Sequence, residues 1–155
     1  SPLMNTKSPE DTEVTFREFV ILSFLYNISD GVDHVERLHL LSYLLDQELS
    51  NDVWVFQYSR QKGILHSSQI DECVEELAKR DQVAKTTSRT FGGDERVSCT
   101  ITNKGEEVVS ESKKIGEFET LNEYISQTVS TYGLIPISNL IEIVNTDSQQ
   151  VRTRS

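Results

Sequence analysis

One stretch, residues 63–105, restricts the fold more than any other. It begins as a helix. Ile70, Cys73, Val74, Leu77 and Ala78 recur at spacings of three and four, which places all five on one helical face. Ser67 or Ser68 can accept from the first-turn amides, and Ser68-x-x-Asp71 is close to a capping box. Two strand-like runs follow, Val83–Phe91 and Arg96–Thr102, rich in Val, Thr, Phe and Ile. Between them Gly92-Gly93-Asp94 supplies a turn where positive φ is needed. Along the second run Val97, Cys99 and Ile101 alternate with Arg96, Ser98 and Thr100, so the first three are predicted to point inward. Thr102-x-x-Gly105, with Glu106 and Glu107 behind it, opens another helix.

Upstream lie two more helices. Thr15 and Glu18 form a capping box before Phe16, Phe19, Val20, Leu22, Phe24 and Tyr26, a helix apolar on most sides and therefore central to a core. Gly31 suits a left-handed stop after it. Asp33 and Glu36 are expected to cap the next helix, whose stripe is Val35, Leu38, Leu41, Leu45 and Leu49. Val53–Tyr58 reads as a short strand. Two helices are expected at the far end, one carrying Phe118, Leu121, Tyr124, Ile125 and Val129, the other Ile137, Leu140, Ile141 and Val144. The expected fold class is α+β: a winged helix-turn-helix with an inserted strand and additional C-terminal helices. Residues 14–145 form its one domain, between disordered tails at 1–13 and 146–155.

Composition narrows the setting. No apolar run approaches the ~20 residues that span a bilayer, and Ser1–Glu13 has no apolar stretch of the kind a signal peptide needs. Cys73 and Cys99 both fall at inward positions and read as small hydrophobes, which suits a cytoplasmic protein. The net charge of −10 opposes non-specific binding to nucleic acid or anionic membranes. It is unevenly spread. Residues 1–59 carry net −7 and residues 105–155 net −4, whereas residues 60–104, with eight basic and seven acidic side chains, carry +1.

From Arg37 to Leu45 the sequence Arg-Leu-His-Leu-Leu-Ser-Tyr-Leu-Leu resembles the leucine–x–lysine–leucine–x–tyrosine–leucine helix of YwgA-like proteins and of the related Panacea domain. The family's inserted strand, its loop into the next helix and its Leu-Thr-x-x-Gly strand end are similar to Val53–Tyr58, Gly63–Ser67 and Ile101-Thr102-x-x-Gly105. Leu140–Val144 is similar to its C-terminal helix. Ile64-Leu65 replaces a Pro–aromatic pair, and His39 stands where a lysine is usual. The resemblance spans roughly residues 15–145 and implies a winged-helix-like cytosolic domain of the sort used in small regulators, antitoxins and adaptors.

Two functional readings follow. In the first, the protein is a small regulator that binds double-stranded DNA, as a dimer. Lys85, Arg89 and Arg96 of the wing and Arg60 and Lys62 ahead of the helix would touch phosphates. Against it, the outward face of the helix carries Glu72, Glu75 and Glu76 besides Asp71. In the alternative, Glu72, Glu75 and Glu76 dock a protein partner of complementary charge, with Trp54, Phe56 or Tyr58 as aromatic anchors if they are exposed, although at least one of Trp54 and Phe56 is expected to fill the core, since a strand shows only alternate residues to each face. No enzyme, cofactor or metal is expected. His34, His39 and His66 sit on separate elements without ligand spacing, Ser67 and Ser68 read as helix caps, and Gly92-Gly93 lacks the Lys-Ser/Thr of a phosphate loop.

Overall fold

The computed structural model describes residues 14–49 and 55–154, with side chains to residue 148. Its order is α1 (Phe16–Asn27), α2 (Glu36–Leu49), β1 (Ser59–Gln61), β2 (Ile64–His66), α3 (Ser68–Lys79), β3 (Val83–Arg89), β4 (Glu95–Ile101), α4 (Asn103–Ser112), α5 (Gly116–Tyr132) and α6 (Ile137–Arg154). The strands make two separate antiparallel ribbons, β1–β2 and β3–β4. The mixed α+β class is thus present. The expected tail at 1–13 and the residues Val53 and Trp54 lie outside the described residues.

α1 is the hub. Its start is the expected capping box: Glu18 N–H donates to Thr15 Oγ1 at 3.1 Å, and Thr15 N–H donates to Glu18 Oε1 at 3.1 Å. From Glu18 to Leu25 every residue is buried. α2, α3, α4, α5 and β4 all pack against it. Two polar residues are accommodated by α5, where Asn122 Oδ1 accepts from Ser23 Oγ at 2.5 Å and from Asn27 Nδ2 at 3.0 Å. Glu18 also takes Arg80, beyond the end of α3, at 2.5 Å.

Gly31 ends the α1 turn with φ +75°. A Cβ there would lie 2.2 Å from the Cys99 carbonyl oxygen. This close approach lets Val32 exchange both backbone hydrogen bonds with Cys99, at 2.9 and 3.0 Å, while Val35 N–H reaches the Val97 oxygen at 2.8 Å. The segment before α2 is therefore bonded to the outer edge of β4. α2 itself starts at Glu36, so its cap position is Val35 and Asp33 stands two residues too early. In the β3–β4 ribbon the register runs from Val83↔Ile101 to Arg89↔Glu95. Cys99 is buried and Thr100 exposed, as the alternation requires.

Two further expectations need correction. The strand expected at Val53–Tyr58 is found instead at Ser59–Gln61, and residues 55–58 are irregular. The buried carboxylate of Asp46 replaces a sheet partner: it accepts from Val55 N–H at 2.7 Å and from Tyr58 Oη at 3.1 Å. Phe56 is fully buried and fills the core, as expected for at least one of Trp54 and Phe56. Lastly, α6 continues to Arg154 rather than stopping near residue 145. Arg60 donates to Asn145 Oδ1 at 3.0 Å and to Ser148 Oγ at 2.6 Å, and Tyr43 donates to Asp147 at 2.8 Å. These bonds hold the polar end of the helix against α2 and β1.

Gly31→Ala combines a disfavoured φ with a clash against β4 backbone. It is expected to lower stability by about 2–3 kcal/mol, read as a shift of the urea midpoint with little change in slope.

Candidate functional site

With Ile70, Cys73, Val74 and Leu77 buried, α3 turns Glu72, Glu75, Glu76 and Lys79 to solvent. The neighbouring ribbon is exposed from Ala84 to Arg96. Cross-strand partners share a face, so Lys85, Thr87 and Arg89 lie on the side of Cys99, Val97 and Glu95. Ala84, Thr86 and Ser88 lie on the opposite side with Thr100, Ser98 and Arg96. The three expected wing cations are therefore split between two faces.

Most of the expected basic contacts already have partners. Lys85 forms an ion pair with Glu75 of α3. Arg89 faces Glu95 at 4.0 Å and donates to the Gly93 oxygen at 3.3 Å. Arg60 is the residue that fastens α6. Lys62 sits exposed in the β1–β2 turn at φ +53°, away from the longer ribbon. Of the expected acidic contacts, Glu75 is taken by Lys85, Glu76 lies 3.8 Å from Lys79, and Glu72 is exposed on the same face.

A second constellation was missed by sequence reasoning. His39 on α2, His66 at the end of β2 and Asp71 in α3 converge, their ligand-type atoms all within 4.8 Å of one another. His39 Nε2 is 3.2 Å from Asp71 Oδ1, and His66 Nε2 is 2.7 Å from Asp71 Oδ2. The two imidazoles stack with centroids 4.5 Å apart at 17°. Ser67 N–H donates to His39 Nδ1 at 3.0 Å, which assigns Nδ1 as acceptor and puts the His39 proton on Nε2, toward the carboxylate. Asp71 thus receives two N–H groups instead of completing a capping box. Ser67 is the N-cap, without a side-chain cap bond. Burial works to raise the Asp71 carboxyl, but the imidazole partners, His39 first, outweigh it and hold it below the usual carboxylate range.

This geometry is poor for a metal. A cation on His39 Nε2 would need a lone pair there and a proton on Nδ1, which would then oppose the Ser67 N–H. Near-parallel stacked rings also send their in-plane lone pairs along separate planes rather than to one point. It is equally poor for acid–base work. His39 Nδ1 is occupied by backbone and His66 Nδ1 is buried, so neither ring offers its second nitrogen to a substrate. Ser67 is fully buried. Desolvation pushes the Cys73 thiol up to about 12 and the Cys99 thiol to about 11, far from a reactive thiolate. The trio ties three elements together.

Comparison with family models, with curated proteins and with solved structures returns no match to this chain. Among the described residues no helix is long and apolar enough to cross a membrane.

Asp71→Asn is expected to cost about 1–2 kcal/mol near neutral pH, a figure reduced because the carboxylate is half exposed. The folded carboxyl titrates below its unfolded value near 3.8, so its contribution is complete above about pH 5 and drains as pH falls. Burial raises the Asp46 carboxyl, and its contribution has the opposite sign, present in acid and lost as pH rises. Urea titrations between about pH 3 and pH 7 should show a shallower acid-side fall in Asp71→Asn than in the parent. Arg60→Ala should cost only ~1 kcal/mol, because the guanidinium is exposed. Proteolysis should then cut first within α6, not in the β3–β4 ribbon.

Proposed function

We propose that the chain is a non-enzymatic regulatory module of winged-helix type that binds a protein partner through the exposed acidic face of α3. Support for the fold reading comes from the order of α1, the Val32–Cys99 bridge, α2, α3 and the β3–β4 ribbon, which follows the winged-helix plan with β1–β2 inserted before α3. The motif resemblance to YwgA-like chains points the same way. The observation that carries the functional reading is the Glu75–Lys85 ion pair. It uses a wing cation to balance a helix carboxylate and leaves Glu72 and Glu76 beside it. Two acids on the helix that would lie in a major groove repel phosphates, while a basic protein segment would find them complementary.

A second reading keeps duplex DNA as the ligand, and the exposed ribbon favours it. Thr86, Ser88 and Ser98 offer hydroxyls beside Arg96 on its outer face, and such groups commonly contact phosphate.

One pair of variants separates the readings. Glu72→Lys with Glu76→Lys leaves the Glu75–Lys85 pair intact. If α3 binds a basic partner, protein retained by the immobilised parent should fall at least ~10-fold on the double variant, as for loss of two interfacial charges. Retention that ignores the charge reversal would sink this reading. Fluorescence anisotropy with random-sequence duplex at about 0.1 M salt tests the other. Binding by the parent that is lost in Arg89→Ala/Arg96→Ala would put DNA in place of the protein partner.

A further inference from the structure

Two features have no use in the α3 surface. The first is Phe91, whose relative exposure is 114% at the tip of the β3–β4 ribbon. Its turn is well braced. Thr90 N–H donates to the Asp94 oxygen at 2.9 Å, Gly93 N–H to the Thr90 oxygen at 3.0 Å, and Arg89 to the Gly93 oxygen at 3.3 Å. The ring is held out on a closed turn. The second is an open groove of about 620 Å³ where the start of α1, the end of α2, Val55 and α5 meet. Phe16, Leu49, Val55, Leu121 and Tyr124 make its apolar walls. Phe16 and Tyr124 are themselves 46% and 40% exposed. Arg17 and Glu117 also line it.

We propose that the groove receives Phe91 from a second copy of this chain, so that two copies associate by exchanging ribbon tips. The knob and the hole are both apolar, and among the described residues both are uncovered. Their charged borders also match. Arg89 precedes the ring in the chain and Asp94 and Glu95 follow it, against Glu117 and Arg17 at the groove, where Arg17 Nε donates to the Val55 oxygen at 2.7 Å. Arg89 and Glu95 stand 4.0 Å apart, a weak exposed pair whose carboxylate can turn to an outside partner while Arg89 keeps the Gly93 oxygen. A single tip-in-groove contact joins unlike surfaces and would build an open chain, whereas reciprocal exchange closes a twofold dimer with two identical contacts. The contact involves neither Glu72 nor Glu76, so this inference stands apart from the proposed α3 surface.

Sedimentation velocity over a wide concentration range tests it on the full chain, with circular dichroism to establish that each variant is folded. The parent should show a concentration-dependent dimer. Phe91→Ala should raise its dissociation constant roughly 100- to 10,000-fold, since the homodimer loses one buried Phe ring, about 10- to 100-fold, from each of its two contacts. Thr120→Trp, which fills the groove from its wall, should do the same. Mixing the two variants restores one knob and one hole, so heterodimer should exceed either variant's self-association. A dimer indifferent to Phe91→Ala overturns the proposal. So does a dimer sensitive to Phe91→Ala and unaffected by Thr120→Trp, which would seat the ring elsewhere. A parent that stays monomeric also overturns it.

Discussion

Everything in this structure is arranged around a helix that has no wet side. A surface helix buries one stripe and leaves the rest to water, but α1 is buried at every residue from Glu18 to Leu25. Full burial of a large apolar side chain contributes about 1.5–3 kcal/mol, and Phe19, Ile21, Leu22, Phe24 and Leu25 each collect it only if neighbours close in from every direction. That demand explains why α2, α3, α4, α5 and β4 all touch α1. It also explains the polar exceptions. Ser23 and Asn27 meet Asn122, and Glu18 meets Thr15 and Arg80, because a buried polar group without a partner is costly.

The same demand places the ribbon. β4 packs on α1 through its inward residues, and Gly31 lets the chain pass close enough to β4 for Val32 to bond it. A second glycine works alike at the other end. A Cβ on Gly105 would lie 2.2 Å from the Gln82 carbonyl oxygen, so the start of α4 presses on the turn that leads into β3. The base of the ribbon is thereby fixed on both strands, while the rest is exposed from Ala84 to Arg96. Rigid base and free tip follow from where the two glycines fall.

The parts that were legible in the sequence are those decided within a few residues. The Thr15–Glu18 box, the left-handed Gly31, the in–out alternation of Val97, Cys99 and Ile101, and the apolar stripe of α3 all depend on spacing alone. What was illegible depends on partners far along the chain. Asp46 follows Leu45 of the α2 stripe with no local sign that it will hold Val55 and Tyr58. Asp71 has the spacing of a cap, yet His39, thirty-two residues earlier, and His66 claim both its oxygens. Arg60 looks like a loop cation until α6 arrives beside it. In each case the local sequence gives a polar side chain no role beyond its own turn or the solvent, and tertiary packing gives it a buried or bridging one. The one available hint was chemical: a His, an Asp and a second His near helix starts are unusual enough to be checked for convergence.

This redistribution of polar groups bears on what the surface can do. Had Arg60, Lys85 and Arg89 been free, the central third of the chain would have been a basic patch on an acidic body. Instead each is matched by a carboxylate or an internal oxygen, and the patch reduces to scattered charges of both signs. The tip of the ribbon lies roughly 20 Å along the strands from Lys85, at about 3.3 Å per residue, whereas charges are screened within about 8 Å at physiological salt. The acidity of the body therefore neither attracts nor repels much there. Local composition decides the character of the tip, and locally one uncovered aromatic ring stands among balanced charges and hydroxyls. Such a tip is better suited to an apolar recess than to a phosphate backbone, which rewards net positive charge above all.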